Sequence, residues 1–210
     1  MGLKERRKRE KNERRKQILD AARALLFEKG IKDAAIGRIA KKAELGVGTI
    51  YFYYKSKEEI FAALQQEGLA ILTENIRKIC QTEKNPVLRL KKIAGAYLLF
   101  SKEHKNYFDI INYFLSSPDQ MFPPEIKSGI DLQGSKTLAL VARAIETLTF
   151  SGDYRTVDTK RQAVMFWGML HGLLQIRKLE STVLEGEDYD DFFDYCVQSF
   201  IDGLKIYHAE

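Results

Sequence analysis

Apolar side chains recur at three- and four-residue spacing along the chain, the period of helices that bury one face. Ile18, Ala22, Leu25 and Leu26 mark a first helix, and Gly30 supplies a C-terminal stop. Ile36, Ile39 and Ala40 face inward on a second helix over about 36–43. Leu45-Gly46 makes a turn, and a third, short helix covers about 47–53. Ser56 then opens a fourth, with Glu59 placed to complete a capping box. Its stripe of Ile60, Leu64, Leu69, Leu72 and Ile76 runs to about Cys80, long enough to act as a rod between head and body.

The body continues in the same period. Asn85-Pro86 caps a helix carrying Val87, Leu90, Ala94 and Tyr97. Residues 107–115 are apolar nearly all round, which predicts a short helix that is buried or lines a cavity. Ser116-Ser117-Pro118 and Phe122-Pro123-Pro124 punctuate the chain before a long helix through Ile126, Ile130, Leu138, Val141, Ile145 and Leu148. Ser151-Gly152-Asp153 is a loop. The last two helices span about 158–179 and 189–207. In the first, Trp167 leads a stripe through Leu170, His171 and Leu174, while Gly168 and Gly172 sit one turn apart and admit a close neighbour. In the second, Phe193, Val197, Phe200, Leu204 and Tyr207 step 4-3-4-3, the spacing of helices packed at a shallow angle. Phe192 and Cys196 widen that face. Two apolar sides need two partners, so the pair predicts a four-helix dimer interface built from Trp167, Gly168, Gly172, Phe193, Val197, Phe200 and Leu204.

The fold class is therefore all-α, with about nine helices. A three-helix helix-turn-helix domain at 14–60 follows a basic arm at 1–16, and a larger helical dimerisation domain covers 61–210. Charge sharpens this division. Residues 1–60 hold 17 Lys/Arg against 9 Asp/Glu, and the remainder holds 17 against 20, so a cationic head adjoins a mildly acidic body. The stretch 4–16 alone carries nine basic and three acidic side chains. It reads either as a solvated tail or frayed helix extension, or as an arm along a phosphate backbone or in a minor groove. Cys80 and Cys196 are far apart and lie in apolar helical patterns, so neither a disulfide nor a metal site is expected. No apolar run reaches membrane-spanning length, and the charged N-terminus lacks a signal core, which makes a reduced cytoplasm the expected location. Neither a nucleophile–base pair nor a Gly-rich phosphate loop is present, so enzymatic function is not expected.

These residues resemble the TetR family of bacterial transcriptional repressors over 14–64. The resemblance lies in Ile18…Ala21-Ala22…Leu26-Phe27…Gly30, in Ile39-Ala40…Ala43, and in Gly48-Thr49-Ile50-Tyr51-x-Tyr53-Tyr54-Lys55-Ser56-Lys57-Glu58. It implies a homodimer that binds a pseudo-palindromic double-stranded operator and is released by a small molecule, with 61–210 as the ligand-binding and dimerisation domain; the lack of a long apolar run argues separately against a membrane partner. Carried over by position, Gly46, Val47, Gly48, Thr49, Tyr51, Phe52, Tyr53 and Lys57 face DNA, and Ile50 and Tyr54 face the core. Backbone N–H groups at Gly48, hydroxyls of Thr49, Tyr51 and Tyr53, and the Lys57 ammonium suit phosphate oxygens. Thr49 and Phe52 suit a thymine methyl. The sequence departs from the family pattern at Asp33-Ala34-Ala35-Ile36, where a capping Thr is usual and Asp33 takes over the cap. It departs again at Glu44 and Gly46, where Gly and Ser are usual. Val47 and Phe52 shift readout toward apolar contact and DNA shape.

For the effector the expected lining is Tyr97, Phe100, Tyr107, Phe108, Ile111, Tyr113, Phe114, Met121, Phe122, Met169 and His171, which favours a lipophilic or aromatic molecule and no resident cofactor. A sequence-tolerant architectural DNA binder and a transcriptional activator of the same fold are the alternatives.

Overall fold

The computed structural model describes residues 2–116, 124–150, 152–182, 184–186 and 188–206. Among them nine α-helices form and no strand: α1 Leu3–Lys29, α2 Ile36–Lys42, α3 Val47–Tyr53, α4 Lys57–Thr82, α5 Pro86–Glu103, α6 Lys105–Ser116, α7 Pro124–Thr149, α8 Thr159–Ile176 and α9 Tyr189–Asp202. They group into two compact units, Met1–Gly68 with His104–Leu132, and Leu69–Glu103 with Gln133–Glu210. The short helix α6 thus belongs with the head, and α4 and α7 each contribute residues to both units.

The basic stretch is helical and continuous with the first helix, because nothing in it breaks a helix and Arg6–Glu10 and Arg9–Glu13 pair across single turns. Gly30 ends α1 at φ 77°, a conformation that favours glycine, and its N–H donates to the Leu26 carbonyl. The N-cap of α2 is Ala35, whose side chain cannot cap. Asp33 does not supply that cap, since its carboxylate is engaged by Arg38. At the start of α4 the Glu59 N–H donates to Ser56 Oγ at 3.2 Å, while the Glu59 carboxylate accepts from the Lys55 N–H at 2.6 Å, one residue upstream of the usual capping-box partner. Asn85 Oδ1 caps α5 by accepting from the Leu88 N–H.

In the first unit Ile18, Ala22, Leu26, Ile39, Ile50, Ile60, Phe61 and Leu64 form a fully buried core. Here α6 packs on α4 so closely that a Cβ on Gly68 would lie 2.6 Å from Tyr107 Cβ. The contact face of α4 steps through Glu58, Phe61 and Gly68: Tyr113 Oη donates to Glu58 at 3.4 Å, its ring meets Phe61 edge-on, and Tyr107 covers Gly68. Tyr107 Oη also donates to Glu67, which holds Arg23 by two bonds of 2.8 and 3.0 Å. In the second unit α5 packs against α8 and α9 around Leu90, Ile93, Tyr97, Phe100, Phe166, Phe193 and Ile201. A hydroxyl pair, Thr73 and Thr137 at 2.7 Å, is buried there too.

The last helix requires a correction. Phe193, Val197, Phe200 and Leu204 are all buried inside their own unit and cannot be the face offered to a second subunit. The 4-3-4-3 stripe is the attachment of α9 to α5 and α8. The helix also ends at Asp202. Leu204 follows in a turn, and Tyr154 and Lys205 make an isolated antiparallel bridge. Tyr207, Met121 and Phe122 lie outside the described residues.

Candidate nucleic-acid interface

The third helix is seven residues long and separates its two faces cleanly. Ile50 is fully buried and Tyr54, just past its end, nearly so, while Val47, Tyr51 and Phe52 are 46%, 51% and 77% exposed. Three large apolar side chains on so short a helix are not a folding requirement, and they leave a surface suited to a partner. Gly46 is the N-cap with no side-chain cap, so the N–H groups of the first turn are not occupied by a capping oxygen. A Cβ at Gly48 would meet nothing within 4 Å, which confirms an open approach at that turn. Phe52 and Tyr53 contact edge to face at 5.0 Å, which orients both rings.

The position of this helix is set from below. Arg15 on α1 donates to the Tyr53 carbonyl at 2.7 Å, and its guanidinium lies 4.2 Å from the Tyr54 ring centroid. Tyr54 Oη in turn reaches the Arg15 carbonyl at 3.4 Å, and burial raises its phenol pKa. Gln17 donates to the Ala43 carbonyl at the end of α2 at 2.8 Å. Glu44 takes φ 54°, the left-handed conformation, in the turn between α2 and α3. Sequence reasoning missed Arg15 and Gln17. The available signal was Arg15 standing three residues before Ile18, on the buried stripe of α1.

The eight residues expected at DNA are not equally placed. Gly46, Val47, Gly48, Tyr51 and Phe52 are exposed, and Thr49 and Tyr53 are partly exposed. Lys57 is half-buried, with its ammonium 5.0 Å from the Phe61 ring centroid and 6.0 Å from that of Tyr113. A phosphate contact from Lys57 needs that position to be left, whereas Lys55 is exposed at the end of α3.

The expected effector residues divide between the two units. Tyr107, Phe108, Ile111, Tyr113 and Phe114 lie in the first, on α6. Tyr97, Phe100, Met169 and His171 lie in the second. Tyr97 Oη is 2.8 Å from His171 Nδ1, and Trp167 stacks on the same imidazole at 5.4 Å. Burial raises the Tyr97 phenol pKa and lowers that of His171, so the neutral imidazole accepts from the phenol. Gln65 was not expected. It is 4% exposed on the α6-facing stripe of α4, and its Oε1 has no hydrogen-bond partner. Its signal was an amide within the apolar run Phe61, Leu64, Leu69.

The outer faces of the last helices are open. On α8, Val164, Met165, Gly168, Gly172 and Ile176 are exposed, and on α9 Tyr195 is 68% exposed beside half-buried Phe192 and Cys196. Added Cβ atoms at Gly168 and Gly172 would meet nothing within 4 Å. No helix among the described residues is long and apolar enough to cross a membrane, and none of their His, Cys, Asp and Glu groups forms a cluster able to hold a metal.

Comparison with known proteins bears on these surfaces. Residues 18–64 match the family model described as bacterial regulatory proteins, tetR family. The fatty acid metabolism regulator protein of Bacillus subtilis (strain 168) is 37% identical over 62 residues, covering 30% of this chain and 32% of that protein. The chain spans about a third to a half of the length of the first curated relatives it matches. Over nearly the whole chain the fold is similar to that of the transcriptional regulator FadR from Bacillus subtilis in complex with stearoyl-CoA. That match has a TM-score of 0.69 and 20% identity, over 90% of this chain and 98% of that one. It is also similar to AibR in complex with isovaleryl coenzyme A and operator DNA, with TM-score 0.64 and 20% identity over 91% and 98% of the two chains. The family match covers the second half of α1 to the first turns of α4, where this chain is similar to bacterial regulatory proteins of the tetR family, and the likeness of fold extends to the remaining helices.

Proposed function

We propose that this protein is a ligand-responsive transcriptional regulator that binds a two-fold symmetric operator as a homodimer and is released by an acyl-coenzyme A thioester. The observation that carries the DNA-binding half is the exposed Val47, Tyr51 and Phe52 face of a helix fixed by Arg15. Such a helix enters a major groove with its N-terminal N–H groups toward phosphate and its apolar side chains toward base edges. Two copies must enter successive grooves about 34–36 Å apart, which requires a dimer.

The subunit contact in this reading is the open side of α8 and α9: Val164, Met165, Gly168, Gly172 and Ile176 with Phe192, Tyr195 and Cys196. The paired glycines permit close approach of a partner helix, and Trp167 borders the face from its stack on His171. The effector class draws support from FadR and AibR, each named as a complex with an acyl-coenzyme A, and from a relative named for fatty acid metabolism. It also suits the aromatic residues of α6 and the unpartnered Gln65 carbonyl, an acceptor for an amide N–H or hydroxyl of the ligand. Release follows from linkage: a thioester that prefers the conformation with mis-spaced heads weakens DNA binding by its differential affinity, and DNA weakens its binding equally. Repression or activation is then set by where the operator lies.

The test uses a duplex selected by the full chain from a random library, with release followed by fluorescence anisotropy. Long-chain acyl-coenzyme A is expected to release it, and free coenzyme A is not. Retention of the duplex at every acyl-coenzyme A concentration would remove the effector assignment. A monomer in sedimentation at the concentrations that bind DNA would remove the dimer.

A further inference from the structure

The buried stripe of α1 does not stop where the head ends. Read backward from Leu25 it passes through Ala22 and Ile18 to Arg15, and the same three- and four-residue steps continue through Lys11, Lys8 and Lys4. One face of a single helix therefore changes from apolar to cationic at the point where it leaves the core. The changeover residue is Arg15, whose guanidinium holds the C-terminal end of α3.

The acidic side chains are sorted to the other side. Glu10 and Glu13 lie about a third and about half of a turn around the axis from that stripe, where they pair with Arg6 and Arg9. Lys4, Lys8 and Lys11 are exposed and make no ion pair among the described residues. A merely solubilising helix would spread its charges around the axis. This helix neutralises one side and leaves the other cationic, on the side where α3 is attached.

We propose that the Lys4–Lys8–Lys11 face is a second DNA-contacting surface, one that tracks the phosphate backbone of duplex flanking the sequence read by α3. The inference rests on the DNA-binding reading above. From Lys4 to Arg15 the helix extends about 16 Å at 1.5 Å per residue. That length lies alongside about five base-pair steps of about 3.4 Å. Lysine ammonium groups at one-turn spacing suit phosphate oxygens and carry no base preference, so the surface lengthens the footprint and adds affinity without adding sequence. Charge complementarity and continuity with the α3 attachment favour duplex DNA over other polyanions.

The experiment uses the full chain and its library-selected duplex, with the core defined by hydroxyl-radical footprinting and the flanks lengthened step by step. Lys4→Ala, Lys8→Ala, Lys11→Ala is compared with a charge-matched control on the other faces, Arg6→Ala, Arg9→Ala, Lys16→Ala. Wild type and control are expected to tighten as flanks grow to about five base pairs per side. The lysine variant is expected to show no flank dependence. Its slope of log K against log[salt] is expected to be shallower by about 0.9 per lost phosphate contact, about five for a dimer. Equal losses from both triple variants would indicate a diffuse charge effect and overturn the assignment. Wild-type binding indifferent to flank length would overturn it while leaving the α3 reading intact. Failure of the full chain to select any duplex would overturn both.

Discussion

Gly68 is the position where adding one methyl group tests the packing most sharply. Its Cβ would sit 2.6 Å from Tyr107 Cβ, 2.7 Å from Cγ and 3.0 Å from Cδ1. Those atoms are close to the α6 backbone, so a rotamer change cannot relieve the overlap and α6 itself must shift. Overpacking of this kind costs about 1–3 kcal/mol. The shift also disturbs the 3.2 Å bond from Tyr107 Oη to Glu67, a loss of about 1 kcal/mol. Against this, Ala replaces Gly inside a helix and contributes about 1 kcal/mol. The Gly68→Ala variant is therefore expected to be less stable by about 1–3 kcal/mol, a fall in Tm of about 2–12 °C for a chain of this size. Gly95→Ala is the matched control. It lies in α5 with nothing within 4 Å of an added Cβ, so only the propensity gain remains and Tm should rise by about 2–4 °C. Both are read by thermal unfolding at one protein concentration, since a dimer's Tm depends on it. A Gly68→Ala protein melting at or above wild type would refute the close α4–α6 packing.

Gln65→Leu removes a buried acceptor without a partner, so it should stabilise the protein by about 1–2 kcal/mol and raise the acyl-coenzyme A concentration needed for release about tenfold; lower stability would mean the acceptor is satisfied. Glu44→Gly relieves a left-handed φ of 54° and should stabilise by about 0.5–1 kcal/mol in the same melting assay; a destabilised variant would show that the Glu44 side chain contributes more than its backbone costs. Burial lowers the His171 pKa in the folded chain, so between that value and about 6.5 the unfolded chain binds more protons and stability falls as pH is lowered through the window. His171→Asn should lose that part of the pH dependence of Tm, and an identical profile would place the titration elsewhere.

How much of this was written in the sequence differs from element to element. The bounds of α3 followed from the turn signals on either side of it, whereas the inward orientation of Ile50 and Tyr54 came from the family resemblance, because α3 carries large apolar side chains on both faces and its pattern alone does not choose between them. The α9 stripe was equally visible and was misassigned. Phe193, Val197 and Phe200 have the spacing of a shallow-angle helix pair, and that spacing is the same whether the neighbour is α5 of one subunit or a helix of another. The open face shows only as residues of weaker hydropathy, among them Gly168, Gly172 and Tyr195. The cap on α2 failed for a local reason, since Arg38 competes for Asp33. The effector residues were chosen by aromatic density, which carries no information about which of two compact units α6 joins. Gly68 decides that, through an approach of α6 that no periodicity records.

The central claim is that the outer face of α3 reads duplex DNA, and the double variant Tyr51→Ala, Phe52→Ala tests it most directly. Both side chains are more than half exposed, so the variant should keep the wild-type melting curve. Anisotropy competition between the library-selected duplex and a shuffled duplex of equal length then measures sequence preference alone. The account predicts that wild type prefers the selected duplex by at least about three orders of magnitude, and that the variant binds both duplexes alike with weak, salt-sensitive affinity. A variant that retains the wild-type preference would contradict the account.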